Sequence, residues 1–321
     1  MQLSSAIYKY LPWRTSSLAA ARWRWLARSS ILAENLTMPN SVSNSAISIR
    51  NLTTIEELEA VLRLEKEVWG FEDADVTPLT LAVAMKATGS IWLGAFKKDA
   101  MVGFAFAFPS LEEGKVGFHS HTLAVHPAFD NLGLGYQLKL AQRDRVLARG
   151  IAEITWTFDP LRSRNAHLNF AKLGVISNSY RLDFYGAQTS SSLHTNGTDR
   201  LWVTWRLADS RVEERVKGRS RRSETLDALA LLEPLVRFNG DGNPAEADLC
   251  QALSRQRIAI EIPGDIGQME SSDIGRAHQW RLATRRAFTE ALNAGFTVTE
   301  FCRSIRGQQG PGAYLLERLN H

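Results

Sequence analysis

Cysteine is nearly absent. The 321 residues hold two, Cys250 and Cys302. They form no metal-ligand spacing and no disulfide framework, so neither a zinc module nor a stapled secreted scaffold is expected, and a reducing, cytoplasmic compartment is the simpler setting. Long apolar runs are missing too: nothing approaches the roughly 20 residues of a membrane span, so no transmembrane segment is expected. There is no tandem repeat and no low-complexity tract. Excess charge is missing from the body of the chain. The net charge of +4 is carried entirely by residues 1–37, where Lys9, Arg14, Arg22, Arg24 and Arg28 stand against Glu34 alone. The formally neutral remainder is a poor polyanion binder, and no nucleic-acid partner is expected. What is left is ordinary globular composition, 44% hydrophobic, at a length that suits about two domains.

The Arg- and Ser-rich leader admits three readings: a transit-like amphipathic segment, a surface-associating helix anchored by Trp23 and Trp25, or an extension upstream of a working start at Met38. Residues 1–46 as a whole read as disordered leader and linker. From residue 47 the chain is patterned. "ISIRNL" alternates as a first strand. Thr53 and Thr54, three residues before Glu56 and Glu57, make a capping-box signature for a helix through residue 69. Thr77 and Pro78 open a second helix. "SIWLGAF" and "AMVGFAFAF" around "KKD" form a hairpin, and "KVGFHSHTLAV" (115–125) is a third strand. A turn with Gly133 and Gly135 leads into a helix that ends at Gly150, then a strand, "AEITWTF", and a short helix ending at Gly174. "RLDFYG" and "DRLWVTWRL" read as closing strands. Residues 209–224 are charged and aperiodic, a solvated linker whose alternative is a phosphate-contacting patch. Residues 225–321 read as a smaller α/β unit with strands at "RIAIEIP" and "FTVTEF" around a long helix.

The glycine turn, "VHPAFDNLGLGYQLK", is the informative stretch. A strand running into a helix through glycines exposes backbone N–H groups with no partner inside the helix, and the dipole adds partial positive charge, so the site favours an anion such as phosphate. The two common phosphate loops do not fit. Gly135 is followed by Tyr136 and Gln137 rather than Lys and Ser or Thr, and the dinucleotide fingerprint lacks its third glycine because residue 138 is Leu.

The element order together with Val-x-Pro-x-x-x-x-x-Gly-x-Gly, and the runs "SHTLAV", "LKLAQRDRVLARGI" and "ITWTFDPLRSRNAHLNFAKLG", resembles the GNAT superfamily of acyl-CoA N-acyltransferases. More narrowly, the chain resembles a group of GNAT acetyltransferases with a C-terminal extension and largely unassigned function. The resemblance implies an α+β fold, a mixed, mostly antiparallel twisted sheet flanked by helices over residues 47–208, with acetyl-CoA as co-substrate, no metal, and a small-molecule or peptide amine as acceptor. It implies that Leu123, Ala124 and Val125 form a splayed strand beside the pantetheine, with the N–H near Leu123 polarising the thioester carbonyl. The N–H groups of Asn131, Leu132, Gly133, Leu134, Gly135 and Tyr136 would cradle the pyrophosphate, and Asn165 would lie near the far arm of the coenzyme. Two departures stand out. Asp130 replaces a usual Arg or Gln, and Phe170 takes the coenzyme-side position where a Tyr commonly protonates the leaving thiolate; water, Tyr180 or Tyr185 are the remaining donors.

Transfer to an amine needs a base, because a lysine-type amine with a pKa of about 10.4 is protonated at neutral pH. His119 and His121 share strand parity with Leu123 and Val125, so all four are expected on one sheet face. Glu67 and Asp159 are further candidates, with a solvated helix face and a turn cap as their plain alternatives. The competing functions are a non-catalytic acyl-CoA-sensing module and, through the basic leader, an RNA- or membrane-surface protein. The C-terminal unit would wall the acceptor pocket or form a homodimer contact.

Overall fold

The structure, a computed structural model, describes residues 47–73, 75–112, 114–186, 194–307 and 310–319. The leader, and every reading made of it, lies outside these residues. All described residues fall within one compact unit, Ser45–His321.

Strand β1 (Ser48–Asn51) leads into α1 (Ile55–Trp69) and α2 (Leu79–Ala87). The capping box forms at Thr54, whose side chain accepts from the Glu57 N–H while the Glu57 carboxylate accepts from the backbone N–H of Thr54. Gly70, left-handed at φ 66°, ends α1. The hairpin of β2 (Ile91–Lys97) and β3 (Ala100–Glu112) and the next strand β4 (Lys115–Val125) follow as expected. After β4 come α3 (Leu134–Leu147), β5 (Glu153–Phe158) and α4 (Ser163–Ala166), the last continued by a π-helical turn over His167–Leu173 that stops at left-handed Gly174. Strand β6 spans Ile176–Arg181, so "RLDFYG" is mostly the turn after a strand rather than a strand; β7 is Arg200–Arg206.

The stretch read as a linker is instead ordered. It holds α5 (Ser210–Val216) and the start of α6 (Arg222–Ala230). Its charges, which suggested solvent, include Arg215, 4% exposed and paired with Glu300. Strands β8 (Val236–Phe238) and β9 (Pro244–Glu246), helix α7 (Leu249–Leu253), β10 (Arg257–Ile262), α8 (Ile266–Ser272), α9 (Ile274–Asn293), β11 (Thr297–Cys302) and β12 (Gly312–Glu317) complete the chain.

One mixed sheet runs through the unit in the order β1-β2-β3-β4-β5-β7-β6-β11-β12-β10-β8-β9. The alternation of β12 went unread in the sequence; it lies between β10 and β11 and pairs antiparallel with both. The β6–β11 seam rests on a single backbone pair, Val298 with Ser177. On one face α1 and α2 cover Leu52, Trp92, Phe104 and Phe106. The largest cluster joins Leu134, Leu138 and Val146 of α3 to Phe158, Phe170 and Trp205, and on to Trp280 and Phe288 of α9.

Two irregularities in this sheet open and shape a cleft. First, β4 and β5 run parallel but pair only at Phe118–Ile154 and His119–Thr155; beyond that they part. Second, the β3–β4 register slips between Phe106–Thr122 and Ala107–Ser120, so His121 is the extra residue of a β-bulge.

Candidate active site

Two cavities flank the opening between β4 and β5. The first, about 790 Å³, is lined by Leu123 and Val125, by the loop Asp130–Tyr136 and by residues of α4, α5, α6 and β11. The second, about 710 Å³, is lined by Glu65, Trp69, Ser120, His121, Thr122, Lys139, Trp156 and Tyr185, among others. Leu123, Asn165 and Leu168 border both, so the junction lies beside the parted strands.

The head of α3 explains the glycines. Gly133 is its N-cap at φ 74°, and Asn131 before it is also left-handed at φ 64°. Two left-handed residues in one short loop turn successive N–H groups outward. Among the described residues no protein acceptor meets the N–H of Asn131, Leu132, Gly133, Leu134, Gly135 or Tyr136, and the first bond made is from Gln137 to the Gly133 carbonyl. A Cβ on Gly133 would touch no protein atom within 4 Å, and one on Gly135 would meet only Leu123 Cδ2 at an ordinary 3.6 Å. The space over these glycines is open cavity, and the amides have no protein partner, which fits a bound phosphate.

The acid beside this cradle is neutralised. Asp130 accepts two bonds from Arg164, at 3.0 and 3.1 Å, so α4 supplies the cation that position 130 lacks. Further along the same cavity stand Lys172, Arg222 and Arg303. No carboxylate lies within ion-pair distance of any of the three among the described residues, although Arg222 donates to the Arg303 carbonyl. Burial first, and then these three cations, push His167 down to about 4; its Nδ1 is buried without a partner. Lys172, Arg222 and Arg303 together give this end of the cavity a positive lining. The run Gly218–Arg222, read as part of a linker, supplies one wall of it.

The bulge overturns the expected strand parity. His119 lies with Phe108 and Trp202, at ring distances of 5.4 and 4.9 Å, while Leu123 and Val125 pack on the α3 core. His119 lines neither cavity. Its Nδ1 is 3.0 Å from Thr155 Oγ1, whose hydroxyl donates to Glu112, so Nδ1 carries the proton. Burial, with help from His121 and Lys139, lowers it to about 4. His121 instead stands in the second cavity. His121 is exposed to solvent at this cavity, and the protein packed around it lowers its pKa from the usual histidine value.

Glu67 faces away from both cavities and holds His126 at 3.0 Å on the surface. The second cavity is lined instead by Glu65, two residues earlier and 2% exposed, and also by Asp75 and Asp159. Burial raises Glu65 to about 7, offset in part by the Thr77 N–H and the Thr122 hydroxyl. Helical periodicity could have found it, since Glu65 falls in the buried row of Leu58, Val61 and Leu64. Asp159 borders the cavity but is committed to Arg281 through two 2.8 Å bonds. Phe170 is fully buried against Phe158 and Tyr314 and lines neither cavity. Of the two tyrosines considered, Tyr180 is spent on Asp199, whereas Tyr185 opens on the second cavity. Asn165 sits at the junction rather than at the far end of the first cavity.

A strand pair that parts beside an amide-rich helix head is the feature the sequence resemblance implied. No family model matches the sequence, and no curated protein matches it. Among solved structures, the chain is similar to the ribosomal-protein-S18-alanine N-acetyltransferase of Escherichia coli, at 18% identity over 51% of this chain and 96% of that one, with a TM-score of 0.41. It is also similar to the PaiA N-acetyltransferase of Thermoplasma acidophilum, solved with coenzyme A, at 16% identity over 50% and 99%, TM-score 0.34. A third likeness is to an aminoglycoside 6'-acetyltransferase type Ii, at 19% identity over 50% and 98%, TM-score 0.38. No helix of the described residues is long and apolar enough to cross a membrane.

Proposed function

We propose that the protein is an N-acetyltransferase that moves an acetyl group from acetyl-CoA to a primary amine. The observation that carries this is the row of unpartnered amides from Asn131 to Tyr136, beside a cavity that shares Leu123, Asn165 and Leu168 with a second one at the parted strands. The diphosphate takes the amides at the head of α3, and the remaining phosphate takes Lys172, Arg222 and Arg303. The pantetheine arm follows Leu123 to Val125 as an added strand, and the thioester reaches the junction at Leu123 and Asn165. The acceptor enters the second cavity, drawn as a cation by Glu65. His121, neutral and beside the bulge, takes one proton. The neutral amine nitrogen attacks the carbonyl carbon, the carbon–sulfur bond breaks, and the departing thiolate takes the nitrogen's second proton, so coenzyme A leaves as the free thiol. On this reading residues 47–208 carry the chemistry, and the rest of the chain completes the coenzyme site.

Acetyl-CoA turnover against a panel of small amines and amino-terminal peptides tests the proposal. The parent should release free thiol with at least one acceptor, and His121→Gln should lose most of kcat while coenzyme A affinity holds. Coenzyme A that fails to bind the parent protein refutes the reading. One observation favours a second: with Phe170 fully buried, no hydroxyl stands at the usual thiolate position, which suits a module that senses acyl-CoA without turning it over. Tight binding with no thiol release on any amine would favour that alternative.

A further inference from the structure

Lys139 has no role in transfer to an external amine, yet its position is unusual. It lies on the buried side of α3, 5% exposed, and is among the residues that line the second cavity. Among the described residues no carboxylate lies within ion-pair distance. Its contacts are the Ser120 hydroxyl at 2.8 Å and the face of Trp156, 3.6 Å from the ring centre. These partners locate it closely. The last paired residues of the parting strands are His119 and Thr155; Ser120 and Trp156 are the next on each strand. Lys139 therefore fills the closed end of the opening between β4 and β5, in the same cavity that reaches the Leu123 junction where the proposed thioester sits.

An unpaired buried ammonium is costly, and a protein that keeps one without a counter-charge favours its neutral form. Burial alone lowers this amine to about 7. A neutral primary amine is the nucleophile that acyl transfer requires, and here it is already inside the chain. The Trp156 face offers the ammonium some compensation, but acetylation removes a buried charge that has no carboxylate partner.

We infer that Lys139 is a site of self-acetylation, taking an acetyl group from acetyl-CoA bound in the adjoining cavity. This rests on the acetyl-CoA reading of that cavity. The Nζ lone pair attacks the thioester carbonyl carbon, the carbon–sulfur bond breaks, and the thiolate leaves. The proton lost from Nζ passes through the Ser120 hydroxyl to the thiolate, so the products are Nε-acetyllysine and free coenzyme A. The amide does not pass the acetyl group onward. It is a lasting mark left in the acceptor cavity, recording that acetyl-CoA was bound without an acceptor.

The test is incubation of the full chain with isotopically labelled acetyl-CoA in the absence of amine, followed by intact mass and peptide mapping, with coenzyme A affinity measured in parallel by calorimetry. The expected result is near-stoichiometric addition of one acetyl group at Lys139, ahead of the surface lysines. An excess of desulfo-coenzyme A, which lacks the thioester sulfur, should suppress this label and leave surface labelling unchanged. Lys139→Gln should remove it. Coenzyme A binding with no label at Lys139, or label there that desulfo-coenzyme A does not suppress, overturns the inference and leaves the acetyltransferase reading standing. Absence of coenzyme A binding overturns both.

Discussion

Replacing Gly133 by Asp probes the amide cradle most directly. The backbone there is left-handed, φ 74°, and an added Cβ meets no protein atom within 4 Å. Packing therefore gives no reason for the fold to object. The cost to folding is the left-handed conformation, about 1–2 kcal/mol for a non-glycine residue and less for Asp, which tolerates that region. At ~2–4 °C per kcal/mol for a chain of this size, the melting temperature should fall by only a few degrees. Coenzyme binding should respond far more. A carboxylate about 5 Å from one diphosphate charge, at an effective dielectric near 20, is repelled by about 3 kcal/mol, and at 1.4 kcal/mol per decade this is roughly a hundredfold loss of affinity. Gly133→Ala carries the conformational cost without the charge and should lose less than about tenfold. Calorimetric titration of coenzyme A into the three proteins, with a thermal melt of each, separates the effects. An affinity for Gly133→Asp within about threefold of the parent, on a cooperatively melting protein, would refute the assignment of these amides to the diphosphate.

The cation cluster predicts selectivity. Arg303→Ala should weaken coenzyme A by about fivefold, roughly 1 kcal/mol for an exposed charge pair, and leave dephospho-coenzyme A nearly unchanged; equal losses for both ligands would remove the third phosphate from that site. Glu65 predicts a pH trend. Because its folded pKa, about 7, is raised above the unfolded value, stability is highest below the unfolded pKa and declines as pH rises toward 7. Glu65→Gln should recover at most about 3 kcal/mol at pH 8, read from urea unfolding at pH 5 and 8, and a variant destabilised equally at both pH values contradicts this. The buried pair Asp159–Arg281 predicts a large effect: Arg281→Met alone should cost about 3–5 kcal/mol, and Asp159→Asn beside it should restore part of the loss. The Arg281 guanidinium and the Leu161 N–H hold Asp159 below its usual value against burial. Its contribution is therefore present above the unfolded carboxylate pKa and lost as pH falls through the folded one.

The sequence showed most of the elements because periodicity and caps act locally. The Thr54 box, the β2–β3 hairpin and the glycine turn each depend on residues within a few positions of one another. The failures share a different origin. The bulge at His121 is a property of the β3–β4 pairing, invisible in β4 alone, and it moved His119 out of the site that alternation gave it. Arg215 and Arg222 read as linker charges because their partners, Glu300 and the Arg303 carbonyl, lie some 80 residues away. Glu65 was passed over for Glu67 because a carboxylate in an apolar row looks like noise until the cavity beside it is seen. Lys139 was hidden for the same reason.

The seam between β6 and β11 constrains how the coenzyme leaves. Its main chain is joined by a single pair, but α9 stitches across it through Arg281 to Asp159 and Arg285 to Asp199. Ion-paired guanidinium groups brace this joint, so on the proposed reading a spent coenzyme would leave without the two ends of the sheet parting. On that reading its exit would lie at the rim between the α3 head and residues 218–222, and turnover there would be paced by the movement of arginine side chains rather than of backbone.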